Sequence, residues 1–129
     1  TMTAAPIITF GIKEDADIKA ENVIIDEKGT SFTMKMGNSS VPVNMKLTGT
    51  FSVYNALAAT AACYASGITL EKIANSLSEL VGVSGRFERV EINQPFHVIV
   101  DYAHTPDSLE NVLQTIKEFA KGKVSVVVG

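Results

Sequence analysis

A single cysteine, Cys63, among 129 residues rules out an intrachain disulfide and fits a reducing compartment. Histidine is nearly as scarce. His97 and His104 are the only two, and with Cys63 far away in sequence they do not make a structural zinc site. A strong charge of one sign is lacking too. Eleven basic residues against fourteen acidic ones give a net charge of −3, so composition indicates no surface for nucleic acid. Two nucleotide signatures are absent. The one Gly-Lys pair, Gly122-Lys123, runs into Val124, so no Gly-x-x-x-x-Gly-Lys-[Ser/Thr] phosphate loop exists, and there is no Gly-x-Gly-x-x-Gly. Ser84 is not a hydrolase nucleophile, because Gly85 follows it immediately where the nucleophile elbow needs a spacer residue.

Hydrophobic residues make up 46% of the chain and charged ones 19%, enough apolar surface for a core and too much for bulk disorder. Leu47 to Leu70 carries no charge and is long enough to span a bilayer. Its threonines, serines, Asn55 and two glycines, with alanine as the commonest residue, point instead to a small-residue helix of a soluble protein. No membrane partner is expected. The chain begins Thr1-Met2-Thr3 without a secretory leader and stops just after Val126-Val127-Val128, so a piece of a longer protein is expected.

Period-two alternation dominates the first third. Pro6–Phe10, Ile18–Asp26, Thr30–Met36 and Val41–Leu47 read as strands. Phe32, Met34 and Met36 share one side of the third, and short turns at Glu27-Lys28-Gly29 and Gly37-Asn38-Ser39 make an antiparallel meander. The acidic residues Glu14, Asp15 and Asp17 read as a solvated face, with no partner evident from spacing. Ser52 is placed to cap a helix running to about Ala65 and stopped by Gly67. Thr69 is placed to cap a second, with Ile73, Ala74, Leu77, Leu80 and Val81 as its apolar stripe and Gly82 as its end. Gly82-Val83-Ser84-Gly85 reads as a hinge. Beyond it, Phe87–Ile92 and Phe96–Asp101 read as strands, the second as a buried parallel one. Thr105-Pro106 opens a helix with Leu109, Val112, Leu113, Ile116, Phe119 and Ala120 inward and Gly122 at its end. Val124–Val128 reads as a closing strand of a right-handed crossover. The fold class expected is α/β: an antiparallel meander plus helices, then a βαβ unit.

Three places offer chemistry. Asp101 ends a strand four residues before a helix, where open α/β sheets bind ligands. Its carboxylate can accept from a ribose diol or cap its own turn, and both readings stand. The loop through Pro106 adds His104 and the amides of a helix start. Arg86 follows the glycine hinge and can fork onto a phosphate or pair with Glu88 or Glu91. Asn55 sits among alanines, where an amide is costly unless a ligand edge or a carbonyl satisfies it. His97, in mid-strand, packs or points outward.

Taken in order, Phe51-Ser52-Val53-Tyr54-Asn55-Ala56, Gly85-Arg86-Phe87-Glu88 and Asp101-Tyr102-Ala103-His104-Thr105-Pro106 resemble the Mur ligase family. The resemblance runs from about Thr9 to Gly129. The last stretch is similar to the branch that adds the third residue, meso-diaminopimelate, to the peptidoglycan stem peptide. It implies that residues 1–84 are the end of a central ATPase domain and residues 85–129 the start of a C-terminal Rossmann-like domain. Asn55 would face adenine, Arg86 a phosphate and Asp101 the ribose, with His104 on the nucleotide side. Ser52 departs from the asparagine the family often has there. The implied parent is a cytoplasmic monomer using ATP and magnesium. It would join a diamino acid to UDP-MurNAc-L-Ala-D-Glu through an acyl phosphate. Its phosphate loop, metal ligands and amino-acid-gripping segment would fall outside this chain, so no complete catalytic set and no metal residues are expected within it. The alternatives are a folylpolyglutamate synthetase-like ligase, against which Tyr102 and Thr105 speak, and a non-catalytic nucleotide-contacting module.

Overall fold

A computed structural model describes residues 5–129; the reading made on Thr1–Thr3 lies outside them. The chain divides into two compact units, one reaching to Leu80 and one from Val81 to Gly129.

The first unit holds strands β1 (Phe10–Gly11), β2 (Ile18–Asp26), β3 (Gly29–Met36) and β4 (Ser39–Met45), ordered β1-β2-β3-β4 in one sheet. The last three form the expected antiparallel meander, and β1 adds in parallel. The alternation has the expected consequence: Phe32, Met34, Val41, Val43 and Met45 are buried, with Pro42 and Asn44 outward. Proline is tolerated at Pro42 because β4 is an edge strand and its missing N–H costs no ladder bond. Asp26 Oδ1 accepts from the amides of Lys28 (2.7 Å) and Gly29 (3.1 Å), which closes the first turn. A bulge between Glu21 and Ile24, with Asn22 at φ 53°, shifts the phase of β2. Ile18 and Ala20 therefore face the core, while Ile24 is 63% exposed.

Helices α1 (Thr50–Ala65) and α2 (Leu70–Glu79) supply Val53, Ala56, Leu57, Leu70, Ile73, Ala74 and Leu77 to the same core. Each large side chain buried there contributes about 1.5–3 kcal/mol. Ser52 is not the cap. Helix α1 starts three residues earlier because Gly49 takes the cap with φ 95°. Ser52 is buried, and its hydroxyl donates to the Thr48 carbonyl (2.8 Å). Gly67, at φ 85°, follows the C-cap Ser66 as the glycine stop requires. Thr69 caps α2 as expected, accepting from the Lys72 amide. That helix ends at Glu79, short of Gly82, so Leu80 and Val81 fall outside it, 48% and 81% exposed. The predicted strand at 6–10 shrinks to Phe10–Gly11, since only there does β2 offer register partners. The acidic link does find partners. Asp15 pairs with Lys19 (2.5 Å); outside the link, Glu21 on β2 pairs with Lys35 (2.7 Å). The Thr9 amide and then the Thr9 hydroxyl donate to Asp17, holding its carboxyl below the usual range. Asp15 is held low by its bond and charge partner Lys19. No helix among the described residues is long and apolar enough to cross a membrane.

The second unit holds β5 (Glu88–Val90), β6 (Val98–Val100) and α3 (Pro106–Phe119). Here the expected crossover is corrected. β6 pairs antiparallel with β5, and Val98 and Val100 are 36% and 46% exposed rather than buried. Residues 124–128 form no strand, and Val127 is 97% exposed. An apolar run becomes a strand only where a neighbour takes up its N–H and C=O groups, and no described strand pairs with this one. The start of α3 is as expected: Thr105 and Ser108 make a reciprocal capping box with Pro106 at the first helical position. The helix ends at Phe119, not Gly122. Its expected stripe is half-buried, and Thr115 is its one fully buried residue.

Candidate functional site

Tyr102 is the centre of the candidate site in the second unit. The Arg86 guanidinium carbon lies 5.4 Å from its ring centroid, a cation over an aromatic face. The His104 ring meets it edge-on with centroids 5.1 Å apart. His104 Nδ1 is 2.9 Å from the Tyr102 carbonyl. A carbonyl can only accept, so Nδ1 carries the hydrogen.

Asp101 joins the two loops. Its Oδ2 accepts from the Phe87 amide (2.7 Å) and its Oδ1 from the Ala103 amide (2.8 Å). The Tyr102 amide donates to the Gly85 carbonyl (2.9 Å). The arginine loop and the aspartate loop are therefore one bonded piece. Of the two readings left open for Asp101, the capping one is realised, and it does not exhaust the group. A carboxylate offers about four acceptor positions, of which two are used. Asp101 is half-buried with acceptor positions left over, and Arg86 is exposed.

Residues 83–86, in the stretch read as a hinge, form a bonded turn. The Arg86 amide donates to the Val83 carbonyl (3.0 Å), and Gly85 takes φ 71°. Glu88 Oε2 accepts from the Ser84 hydroxyl (2.9 Å) and the Gly85 amide (2.6 Å). Those bonds, the amide first, hold the Glu88 carboxyl below its ordinary range. Glu88 thus faces the turn rather than Arg86, and Glu91 lies 4.0 Å from Arg89, not Arg86. The helix start also offers fewer donors than its sequence suggests. The amides of Tyr102, Ala103, Thr105 and Ser108 are all engaged and Pro106 has none.

Asn55 lies in the first unit on the exposed side of α1. Its amide faces solvent, so the burial cost inferred from its alanine neighbours does not arise; exposure leaves it open to a ligand. His97 is exposed, with Nδ1 3.1 Å from an Arg89 nitrogen, as the outward reading expected. Tyr102 and Glu88 were missed as site residues. An acid three residues after a turn glycine was the available signal for Glu88. Nothing in the pattern marked Tyr102 as the shelf for Arg86.

No group of three or more histidine, cysteine, aspartate or glutamate side chains converges among the described residues. They do not fit a magnesium site, and no step is assigned to one.

The Mur ligase middle-domain model matches residues 2–63, and the Mur ligase glutamate ligase domain model matches residues 85–129. The chain belongs to the Mur ligase family. It is 56% identical over 128 residues to the UDP-N-acetylmuramoyl-L-alanyl-D-glutamate–2,6-diaminopimelate ligase of Halalkalibacterium halodurans, covering 99% of this chain. It spans 26% of the length of that Mur ligase. Among solved structures it resembles MurF from Acinetobacter baumannii (TM-score 0.77, 28% identity, 86% of this chain and 24% of that one). It also resembles a folylpolyglutamate synthase from Thermotoga maritima (TM-score 0.67, 23% identity, 80% of this chain and 24% of that one). The second likeness is one of fold alone. As expected for a Mur ligase, the fold is mixed α/β with an antiparallel meander and helices.

Proposed function

We propose that this chain is the nucleotide-contacting middle of an ATP-dependent, cytoplasmic amide ligase of peptidoglycan synthesis. The enzyme adds meso-diaminopimelate to UDP-MurNAc-L-Ala-D-Glu. The observation that carries this reading is the 56% identity, across 99% of the chain, to a ligase named for that reaction. In the same reading, residues 1–84 close a central ATPase domain and residues 85–129 open the C-terminal domain. Matches to a middle-domain model over 2–63 and a ligase-domain model from residue 85 support that division.

ATP, when bound, supplies the phosphoryl group that turns the substrate carboxylate into an acyl phosphate open to the incoming amine. The chain's own residues position and neutralise. Arg86 offers a planar two-pronged donor to phosphate oxygens. Asp101 accepts from ribose hydroxyls with the lone pairs its backbone bonds leave. In the same reading His104, whose Nδ1 meets the Tyr102 carbonyl, is a further nucleotide contact, and Asn55, exposed on α1 of the first unit, is read as a purine contact. In the full-length protein, Arg86→Ala and Asp101→Ala should each lower kcat/KM for ATP at least about tenfold, roughly 1.4 kcal/mol. The assay is ATP-dependent phosphate release with UDP-MurNAc-dipeptide and diaminopimelate, run beside lysine and glutamate as acceptors. Wild-type kinetics in both variants would sink the site. Turnover with folate and glutamate instead would sink the substrate.

A further inference from the structure

Arg86 sits at the tip of a turn whose every flank is fastened. The residue before it, Gly85, has its amide on Glu88 (2.6 Å) and its carbonyl on the Tyr102 amide (2.9 Å). Arg86 itself closes onto the Val83 carbonyl (3.0 Å). Phe87, after it, is held at φ 48°, a left-handed conformation that is unfavourable for a non-glycine residue. Asp101 binds its amide at 2.7 Å. Backbone strain kept in place by surrounding bonds marks a position where geometry is under demand. The acid that completes this arrangement lies on the exposed surface and contributes nothing to the core. It also declines the obvious salt bridge with the arginine two residues away and spends one carboxylate oxygen on the Ser84 hydroxyl and the Gly85 amide.

We propose that Glu88 is a positioning residue for Arg86: by tying down Ser84 and Gly85 it fixes where the guanidinium is held over the Tyr102 ring, ready for an anionic ligand. This rests on the nucleotide reading above for the identity of that ligand, and on the turn geometry alone for the positioning. An arginine carries large side-chain entropy. Fixing its backbone and giving it an aromatic shelf lowers the ordering cost at the moment of binding. Glu88 achieves this without touching the ligand. A salt bridge between Glu88 and Arg86 would do the opposite, since the ligand would then have to displace it.

The test uses the full-length protein carrying this chain, with ATP as the probe. Glu88→Ala should raise KM for ATP about tenfold while kcat falls less than about threefold and KM for the acceptor stays put. Glu88→Gln keeps one acceptor oxygen and should recover part of the loss. In an Arg86→Ala background, Glu88→Ala should add almost nothing, because a positioning residue has nothing left to position. Nitrogen relaxation at Arg86 Nε reads the same effect without activity, and its order should fall in Glu88→Ala. Losses that multiply fully in the double variant, or an Arg86 Nε signal as ordered as in wild type, would overturn the proposal. A protein that consumes no ATP at all would remove the ligase reading, and the Arg86 relaxation would still decide the positioning.

Discussion

Replacing Asp101 by alanine should loosen the bond between the two loops by an amount that can be worked out beforehand. The carboxylate accepts one backbone hydrogen bond at each oxygen, from Phe87 at 2.7 Å and Ala103 at 2.8 Å. Hydrogen bonds to a charged group contribute about 1.5–3 kcal/mol each. The site is half-buried, which favours the lower end and gives about 3 kcal/mol for the pair. Part of that is offset, because Phe87 is released from φ 48° and recovers about 1 kcal/mol of strain. The net is about 2 kcal/mol against local opening, or roughly thirtyfold in the opening equilibrium. Amide hydrogen exchange resolves it residue by residue. Phe87 and Ala103 should exchange roughly thirtyfold faster in Asp101→Ala. Leu109, bonded to the Thr105 carbonyl inside α3, should be nearly unchanged. Asp101→Asn retains one acceptor oxygen, so one of the two amides should stay protected. If Phe87 exchanges as slowly in Asp101→Ala as in wild type, the carboxylate does not hold the arginine loop. The kinetic loss in that variant would then belong to ligand contact alone.

In the first unit, a Cβ added at Gly29 would stand 2.0 Å from the Met45 carbonyl oxygen, in the β3–β4 ladder. Backbone must move, so Gly29→Ala should cost at least about 3 kcal/mol in denaturant unfolding. Gly37→Ala, at φ 55° with nothing within 4 Å, should cost only the left-handed penalty of about 1–2 kcal/mol. Equal costs would refute the steric account. The depressed Glu88 carboxyl gives a pH prediction whose sign follows from the direction of the shift. The folded state binds the proton less readily than the unfolded one. The turn's stabilisation is therefore fully present above the ordinary glutamate value and fades as pH falls through the lower folded value. A carbon-detected titration of the Glu88 carboxyl should show a midpoint below that of an unstructured peptide. Ser84→Ala should move it partway up, and a midpoint at or above the peptide's would remove the turn bonds from the account.

Much of this was legible from residue order, because it depends on neighbours within a few positions. Alternation in Thr30–Met36 and Val41–Met45 specifies which face is buried, since the side-chain period of a strand is two. Thr69 and Thr105-Pro106 specify helix starts, since capping is local. The three ordered motifs pointed to the Mur ligase family without any geometry. What failed depended on local competition that the pattern does not rank, or on partners distant in sequence. Ser52 lost the cap to Gly49, whose backbone alone takes φ 95°. Residues 124–128 have the apolar character of a strand but find no described neighbour to pair with, and composition cannot supply one. Asp101, Arg86 and His104 could be named from the chain. That Asp101 spends two acceptor positions on the Phe87 and Ala103 amides, that Arg86 lies on Tyr102, and that Glu88 serves the turn rather than the arginine were decided only by the fold. Each of those facts is a matter of which backbone group or ring comes within about 3–5 Å of a charge, over the range where such bonds and contacts form. Only the folded chain sets those distances.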